Sequence, residues 1–400
     1  MIRRFSYTAA ALLLWALYAP VAVFAAADSS DYYRNGYMLD GRLAKKGYDW
    51  WWHSLVAENK KTSELRPFFI EYYVINPALG GAEPVLGQLP ANKQQGIRPS
   101  YAMIKAGTWG DNSSVQIHNF YGITDFAAAK DTMNVTIDNN TATDTALVGS
   151  VKVTPEEAAA HPEYMSDAGE MSWNLTADKL LSYSVGYGTS ELFVKLNAFQ
   201  MFWHVQGMLT HYTGTIIYNG EEYIVRPDTS FGYQDKNWGS DYTNPWVWLN
   251  CNNFKSAVTG TKLGNTSLDV GGGKPLLFGM SMGEKLIIAF YYVGDLYEFN
   301  FSKFWTNTHE EVDCGIRDNE VYWKIAAWNT EAAIEISFTC PKSHMQLFNY
   351  ENPLGQKNYT ELWNGGYASG TVTFYKKRGL HYMLIDKLEG ILGGCEYGKY

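Results

Sequence analysis

The octapeptide Gly232-Tyr233-Gln234-Asp235-Lys236-Asn237-Trp238-Gly239, followed by Trp246-Val247-Trp248-Leu249-Asn250-Cys251-Asn252, sets a carboxyl group beside a phenol and several indoles. In an extended chain successive side chains alternate, so Tyr233, Asp235 and Asn237 share one face and Gln234 and Lys236 the other. A carboxyl walled by rings loses hydration in its charged form, so its pKa rises and it keeps its proton. Such an acid can protonate an alkene, and a ring face of Trp238, Trp246 or Trp248 can hold the developing cation for roughly 0.5–2 kcal/mol each. Asp235 is thus the candidate general acid and Tyr233 the group that orients it. Asn237, Trp238, Trp246 and Trp248 are candidates for contact with substrate, with His204 and Gln206 as polar groups in a mostly apolar pocket. Lys236 would favour the carboxylate if it pointed inward, but alternation directs it outward. The same residues also make turns: Asp and Asn cap local backbone, Gly239 supplies a positive φ and Trp238 plugs a barrel end. Glu71, inside the apolar run Phe68 to Val74, is either on a wet face or a second interior acid.

Other motifs carry less. Gly279-Met280-Ser281-Met282-Gly283 matches G-x-S-x-G, with Asp295 or Asp313 and then His344 or His381 in hydrolase order. That chemistry needs a strand, a sharp elbow and a helix, whereas strand-like runs flank this segment on both sides and a hairpin accounts for it. Gly271-Gly272-Gly273-Lys274 lacks the leading glycine of a phosphate loop, so no nucleotide cofactor is expected. The four cysteines, Cys251, Cys314, Cys340 and Cys395, contain no C-x-x-C, and the eight histidines no H-E-x-x-H, so no metal site is expected. Cys314 and Cys340 flank a hairpin and are the preferred disulfide pair.

The elements that must position these groups are strands. Runs of strand length recur between turn residues at 49–56, 67–75, 115–120, 213–218, 286–292, 321–327, 333–339 and 371–375. One short helix is predicted where Thr154 caps Pro155-Glu156-Glu157-Ala158-Ala159-Ala160. Sixteen per cent aromatic residues, with 29 Tyr and 14 Trp, fit a packed strand-rich protein. At 400 residues the chain exceeds what one core usually organises. Trp50-Trp51-Trp52-His53-Ser54-Leu55-Val56 followed by Pro67-Phe68-Phe69-Ile70 is echoed by Trp246 to Cys251 followed by Pro275-Leu276-Leu277-Phe278. The echo divides the chain near residue 230, giving domains at 28–229 and 230–400 with the acid motif at their junction, where ligand clefts are common.

Arg3 and Arg4, an apolar run from Thr8 to Phe24 and Ala25-Ala26-Ala27 read as an export signal over residues 1–27. A retained signal acting as a membrane anchor is the alternative, which Pro20 and the shortness of the run disfavour. Losing those two arginines takes the formal charge from −9 to −11, which disfavours nucleic acid and anionic membrane surfaces as partners. A hydrophobic small molecule fits better, with a peripheral membrane contact for its delivery.

The Tyr-x-Asp-x-Asn-Trp-Gly segment with Trp246-Val247-Trp248-Leu249-Asn250-Cys251-Asn252 resembles the signature of tocopherol cyclase-like proteins. It is similar also to the carotenoid hydratases and the lipocalin-like fungal pericyclases, and Trp203-His204-Val205-Gln206-Gly207-Met208 through Gly214-Thr215-Ile216 fits the same superfamily more loosely. The resemblance implies an all-β fold of two packed lipocalin-like antiparallel β-barrels with few short helices. It also implies cofactor-independent, acid-catalysed cyclisation or hydration of an isoprenoid or polyene lipid. Asp235 and Tyr233 match the proposed catalytic pair of the hydratases. Asp235 stands where the cyclases usually have glutamate, and Lys236 where the hydratases usually have histidine. The second class of function is an exported, non-catalytic lipid carrier.

Overall fold

The computed structural model describes residues 33–186, 196, 198–356 and 361–399, so the export signal read in residues 1–27 lies outside the described residues. The fold is all-β: two twelve-stranded antiparallel sheets, each rolled into a barrel, with two short α-helices, Pro90–Gln95 and Pro155–Ala160, among the described residues. The second helix starts as the sequence dictates. The Thr154 hydroxyl accepts from the Glu157 backbone N–H, the Glu157 carboxylate accepts from the Thr154 N–H, and Pro155 occupies the first turn.

In the first sheet the strands Tyr48–Asn59, Leu65–Ile75, Tyr101–Thr108 and Val115–Tyr121 follow one another as antiparallel neighbours. The sheet curls back on itself where the Asn119 amide donates to the Lys152 carbonyl and its oxygen accepts from the Lys152 N–H. The motif strand Gly232–Gly239 lies between Tyr48–Asn59 and Met201–Tyr218. It therefore belongs to the first sheet, on the C-terminal side of the boundary expected at 229/230.

The second sheet begins with the strand Trp246–Cys251, which runs between Ser267–Gly273 and His381–Lys399. Its ends meet where the Glu310 carboxylate accepts from the Leu286 N–H and pairs with Lys285 at 3.3 Å. Alternation along Trp246–Cys251 divides the core. Val247, Leu249 and Cys251 pack inside the second barrel with Val270, Ile288, Phe290 and Trp323. Trp246 and Trp248 instead join Trp50, Trp52 and Tyr73 of the first sheet in one continuous ring-rich layer between the barrels. Burying one such ring removes about 150–250 Å² from water and stabilises the fold by several kcal/mol.

The internal echo holds in its first half, since the two aromatic strands face each other and the Trp52 and Trp248 rings meet edge to face at 6.3 Å. Its second half does not hold. Leu276–Leu277 pairs with Met280–Ser281 in a separate small hairpin, and the neighbour of Trp246–Cys251 is the glycine-rich Ser267–Gly273, a composition that weakens the strand signal. The same hairpin, turned by Phe278 and Gly279 at positive φ, absorbs the G-x-S-x-G motif.

The expected Cys314–Cys340 disulfide is corrected by the structure, in which all four cysteines are free thiols. The strand Glu320–Trp328 runs between them, pairing Trp323 with Cys314 and Val321 with Cys340. Two strand spacings of about 4.8 Å exceed the Cα separation of roughly 4.4–6.8 Å that a disulfide allows.

Candidate active site

The strand register brings the chemistry together. Tyr233, Asp235 and Asn237 project into the layer between the sheets, as alternation requires. Asp235 stands beside Trp52, Glu71 lies beyond Trp52, and Lys105 beyond Glu71, all on one face. From the second sheet Trp248, Glu396 and Asn364 form the opposing row. Between them lies a tight cleft with about 10 Å³ of clearance, lined by Trp50, Trp52, Asp235, Asn237, Trp246, Trp248, Tyr350 and Glu396. The rings fill it closely, leaving clearance for little more than one water molecule. An adjoining apolar cleft with about 50 Å³ of clearance shares Asn237 and Trp246 with it and is walled by Phe199, Met201, Trp203, Gly271 and Ile287.

Asp235 is 4 % exposed, and its two oxygens differ. Oδ2 accepts from Trp203 Nε1 at 2.8 Å, from the Tyr233 hydroxyl at 3.1 Å and from the Asn237 amide at 3.4 Å. Oδ1 is buried with no hydrogen-bond partner in the protein. Burial pushes this carboxyl up to about 7; the Trp203 and Tyr233 hydrogen bonds pull it down, and the nearby Glu396 pushes it up. Near neutrality the group is poised between acid and base, where proton transfer is most effective.

Behind Asp235 stands a further carboxyl, Asp269, which the sequence reading missed. The Tyr233 hydroxyl lies 2.9 Å from Asp269 Oδ2 as well as 3.1 Å from Asp235 Oδ2. One phenolic proton cannot be donated to two carboxylates, so one of the acids must itself carry a proton. Asp269 is fully buried, and desolvation first, then the charge of Asp235, push it well above the ordinary carboxylate range. Protonated Asp269 can therefore donate to the Tyr233 oxygen, which donates onward to Asp235, while Trp248 Nε1 donates to Asp269 Oδ1 at 3.2 Å. This chain fixes Asp235 and supports its conjugate base.

Glu71, left open by the sequence, is an interior acid. It pairs with Lys105 at 2.9 Å, accepts from the Tyr350 hydroxyl at 3.1 Å, and neither partner of the ion pair is exposed. The Lys105 ammonium lies over the Tyr350 ring at 3.8 Å. Glu396, also absent from the sequence reading, accepts from Trp246 Nε1 and Asn364 Nδ2, and burial pushes it up to about 7.

Three candidates project to the other face, into the first barrel. Trp238 stacks on Phe202 at 5.5 Å. Gln206 donates to the sulfur of Met133, and burial drives His204 down to about 3. Lys236 does point away from Asp235, but into the barrel and not to solvent: it is fully buried in an ion pair with Asp49 and lies over the Trp51 ring at 4.1 Å. Among the described residues no group of three His, Cys, Asp or Glu could hold a metal ion.

Fold and site together define a paired-barrel protein with a buried, ring-walled acid between its sheets. The model of the tocopherol cyclase-like family matches residues 94–382, and the chain belongs to that family. It is 30% identical over 136 residues to the chloroplastic tocopherol cyclase of Zea mays, an alignment spanning 34% of this chain and 26% of that protein. Similar solved structures include CghA with Sch210972, at 10% identity, TM-score 0.47 and coverage of 89% of each chain. Kievitone hydratase from Nectria haematococca is similar at 10% identity, TM-score 0.44 and coverage of 90% of this chain and 94% of that one.

Proposed function

We propose that this protein is a cyclase or hydratase that protonates an alkene of a prenylated or polyene lipid, with Asp235 as the general acid. One observation carries the reading: Asp235 lines a ring-walled cleft, its Oδ1 has no hydrogen-bond partner, and three donors converge on its Oδ2. The proton leaves from Oδ1. The negative charge that remains meets donors already in place, so little reorganisation accompanies the step. Trp50, Trp52, Trp246 and Trp248 offer ring faces to the carbocation. The apolar cleft past Trp246 takes the hydrocarbon tail, and the tight ring packing means that rings shift to admit the reacting segment.

Lipid access is proposed beside the hairpin Leu276–Leu277/Met280–Ser281, where Phe278 is 57% and Met280 68% exposed. Phe199 of the apolar cleft forms a bridge with Leu277, so the hairpin sits at that cleft's mouth. Its exposed apolar side chains suit a bilayer surface.

The test incubates purified protein with a prenylated hydroquinone in D₂O and follows ring closure and deuterium incorporation by mass spectrometry. Wild type should give a deuterated cyclic product, and Asp235→Asn should lose turnover by about 10²–10⁴-fold while still binding the quinol. Tight binding of quinols, carotenoids and polyenes with no altered product would instead establish the carrier.

A further inference from the structure

We propose that Glu396 is the second catalytic carboxyl of this cleft: the base that takes the proton from the attacking hydroxyl or water as the carbon–oxygen bond forms. The inference rests on the alkene-protonation reading above and adds the step that ends the cation.

The geometry comes from two strands far apart in sequence. Glu396 lies on His381–Lys399, paired with Trp248 on one side and Asn364 on the other, and it lines the same cleft as Asp235 from the opposite sheet. Its carboxylate is held, not free to swing. Trp246 Nε1 donates to Oε2 and Asn364 Nδ2 to Oε1, which leaves a second lone pair on each oxygen. A carboxyl 8 % exposed, with no cation bonded to it, costs stability unless it serves a purpose. Of the other buried acids of the layer, Glu71 has its lysine, Asp269 its hydrogen bond to Tyr233, and Asp235 the role of proton donor.

The proton balance closes without an oxidant or reductant. Asp235 gives its Oδ1 proton to one alkene carbon; the π pair becomes the new C–H bond, and the adjacent carbon becomes cationic. An oxygen lone pair of the phenol or water then forms the C–O bond, and the O–H proton passes to Glu396. Asp235 is now a carboxylate and Glu396 an acid. A proton moving from Glu396 back to Asp235, through a water in the cleft, restores the starting state. Starting with one carboxyl protonated and the other ionised suits two like groups sharing a cleft, because each one's charge disfavours ionisation of its neighbour. The charged groups facing Glu396 are Asp235, Glu71 and Lys105.

The test compares wild type, Glu396→Gln and Asp235→Asn, with thermal unfolding as a check that each variant folds. Carboxyl-stretch infrared titration of the full-length protein needs no substrate. It should show two coupled steps in wild type, and the remaining carboxyl of each variant should titrate at lower pH than in wild type. With a prenylated hydroquinone in D₂O, Glu396→Gln should keep deuterium exchange into the alkene while C–O closure falls about a hundredfold or more. It should also shift product toward isomerised alkenes and remove the acidic limb of the pH–rate profile. Ring closure by Glu396→Gln at the wild-type rate and with the wild-type pH profile overturns the role of Glu396 alone. A wild type that neither exchanges nor closes overturns the alkene-protonation reading and this step with it. Should Glu396→Gln fail to fold, independent titration of Glu396 in Asp235→Asn, unshifted from wild type, would overturn the proposal.

Discussion

Replacing Asp235 with asparagine should make the protein more stable above neutral pH, although it removes the proposed acid. Burial raises this carboxyl from 3.8 to about 7, a shift of about three pKa units, worth about 4 kcal/mol at 1.36 kcal/mol each. Below about pH 4 both folded and unfolded chains hold the proton, and the group costs nothing on folding. Between about pH 4 and 7 the unfolded chain sheds its proton while the folded chain keeps it, so unfolding becomes easier as pH rises. Above about 7 both forms are ionised and the full penalty stands. Asparagine has no proton to lose, and its carbonyl can still accept from Trp203, Tyr233 and Asn237. Guanidinium denaturation at pH 4.5, 6 and 8 should therefore find the variant ahead by about 1 kcal/mol at pH 4.5 and by a few kcal/mol at pH 8. Glu71 adds a similar slope to both proteins, whereas Asp269 and Glu396 titrate lower once the Asp235 charge is gone, so the difference between the curves reports Asp235 together with its coupling to those two acids. Parallel curves across this range would refute the claim that Asp235 is held neutral by its surroundings.

Gly271→Ala places a methyl group 2.9 Å from the Trp203 ring; it should cost about 1–3 kcal/mol by denaturation and slow turnover by loosening the Trp203 hydrogen bond to Asp235. Lys105→Met strands Glu71 without its cation and should cost about 3–5 kcal/mol, whereas Glu71→Leu combined with Lys105→Met should recover most of that loss. Phe278→Ser with Met280→Ser should weaken cosedimentation with phosphatidylcholine vesicles by roughly tenfold or more while leaving the unfolding midpoint within a few degrees.

Much of the local structure was legible in the sequence because it follows from periodicity. Tyr233, Asp235 and Asn237 share a face, Thr154 caps a helix, and the Trp-rich segments are strands. What was not legible is register. Glu396 reaches the cleft and Asp269 reaches Tyr233 behind it because Trp246–Cys251 pairs with two strands, one hidden by glycines and the other more than a hundred residues downstream, and no local pattern encodes either pairing. His204 and Gln206 lie near Asp235 in the sheet, yet they point away from it. Their facing depends on how Met201–Tyr218 meets the motif strand, and that pairing is broken by register shifts after His204. The disulfide expectation failed for a related reason, since flanking a hairpin says nothing about a third strand lying between. Lys236 shows that the face opposite an active group need not be wet, because a barrel interior can bury it as long as Asp49 is there to neutralise it.

The strand that carries Glu396 has a bearing on biosynthesis. It fills the gap between Trp246–Cys251 and Glu361–Arg378, so the second barrel stays open until residues 381–399 have left the ribosome. During that interval the first barrel, already made, presents Trp50, Trp52 and Tyr73 to water, a surface that invites self-association. Nascent chains of this protein should therefore depend on a chaperone that covers aromatic surface, and the proposed catalytic cleft becomes available only as the hairpin of Glu361–Arg378 and His381–Lys399 zips shut.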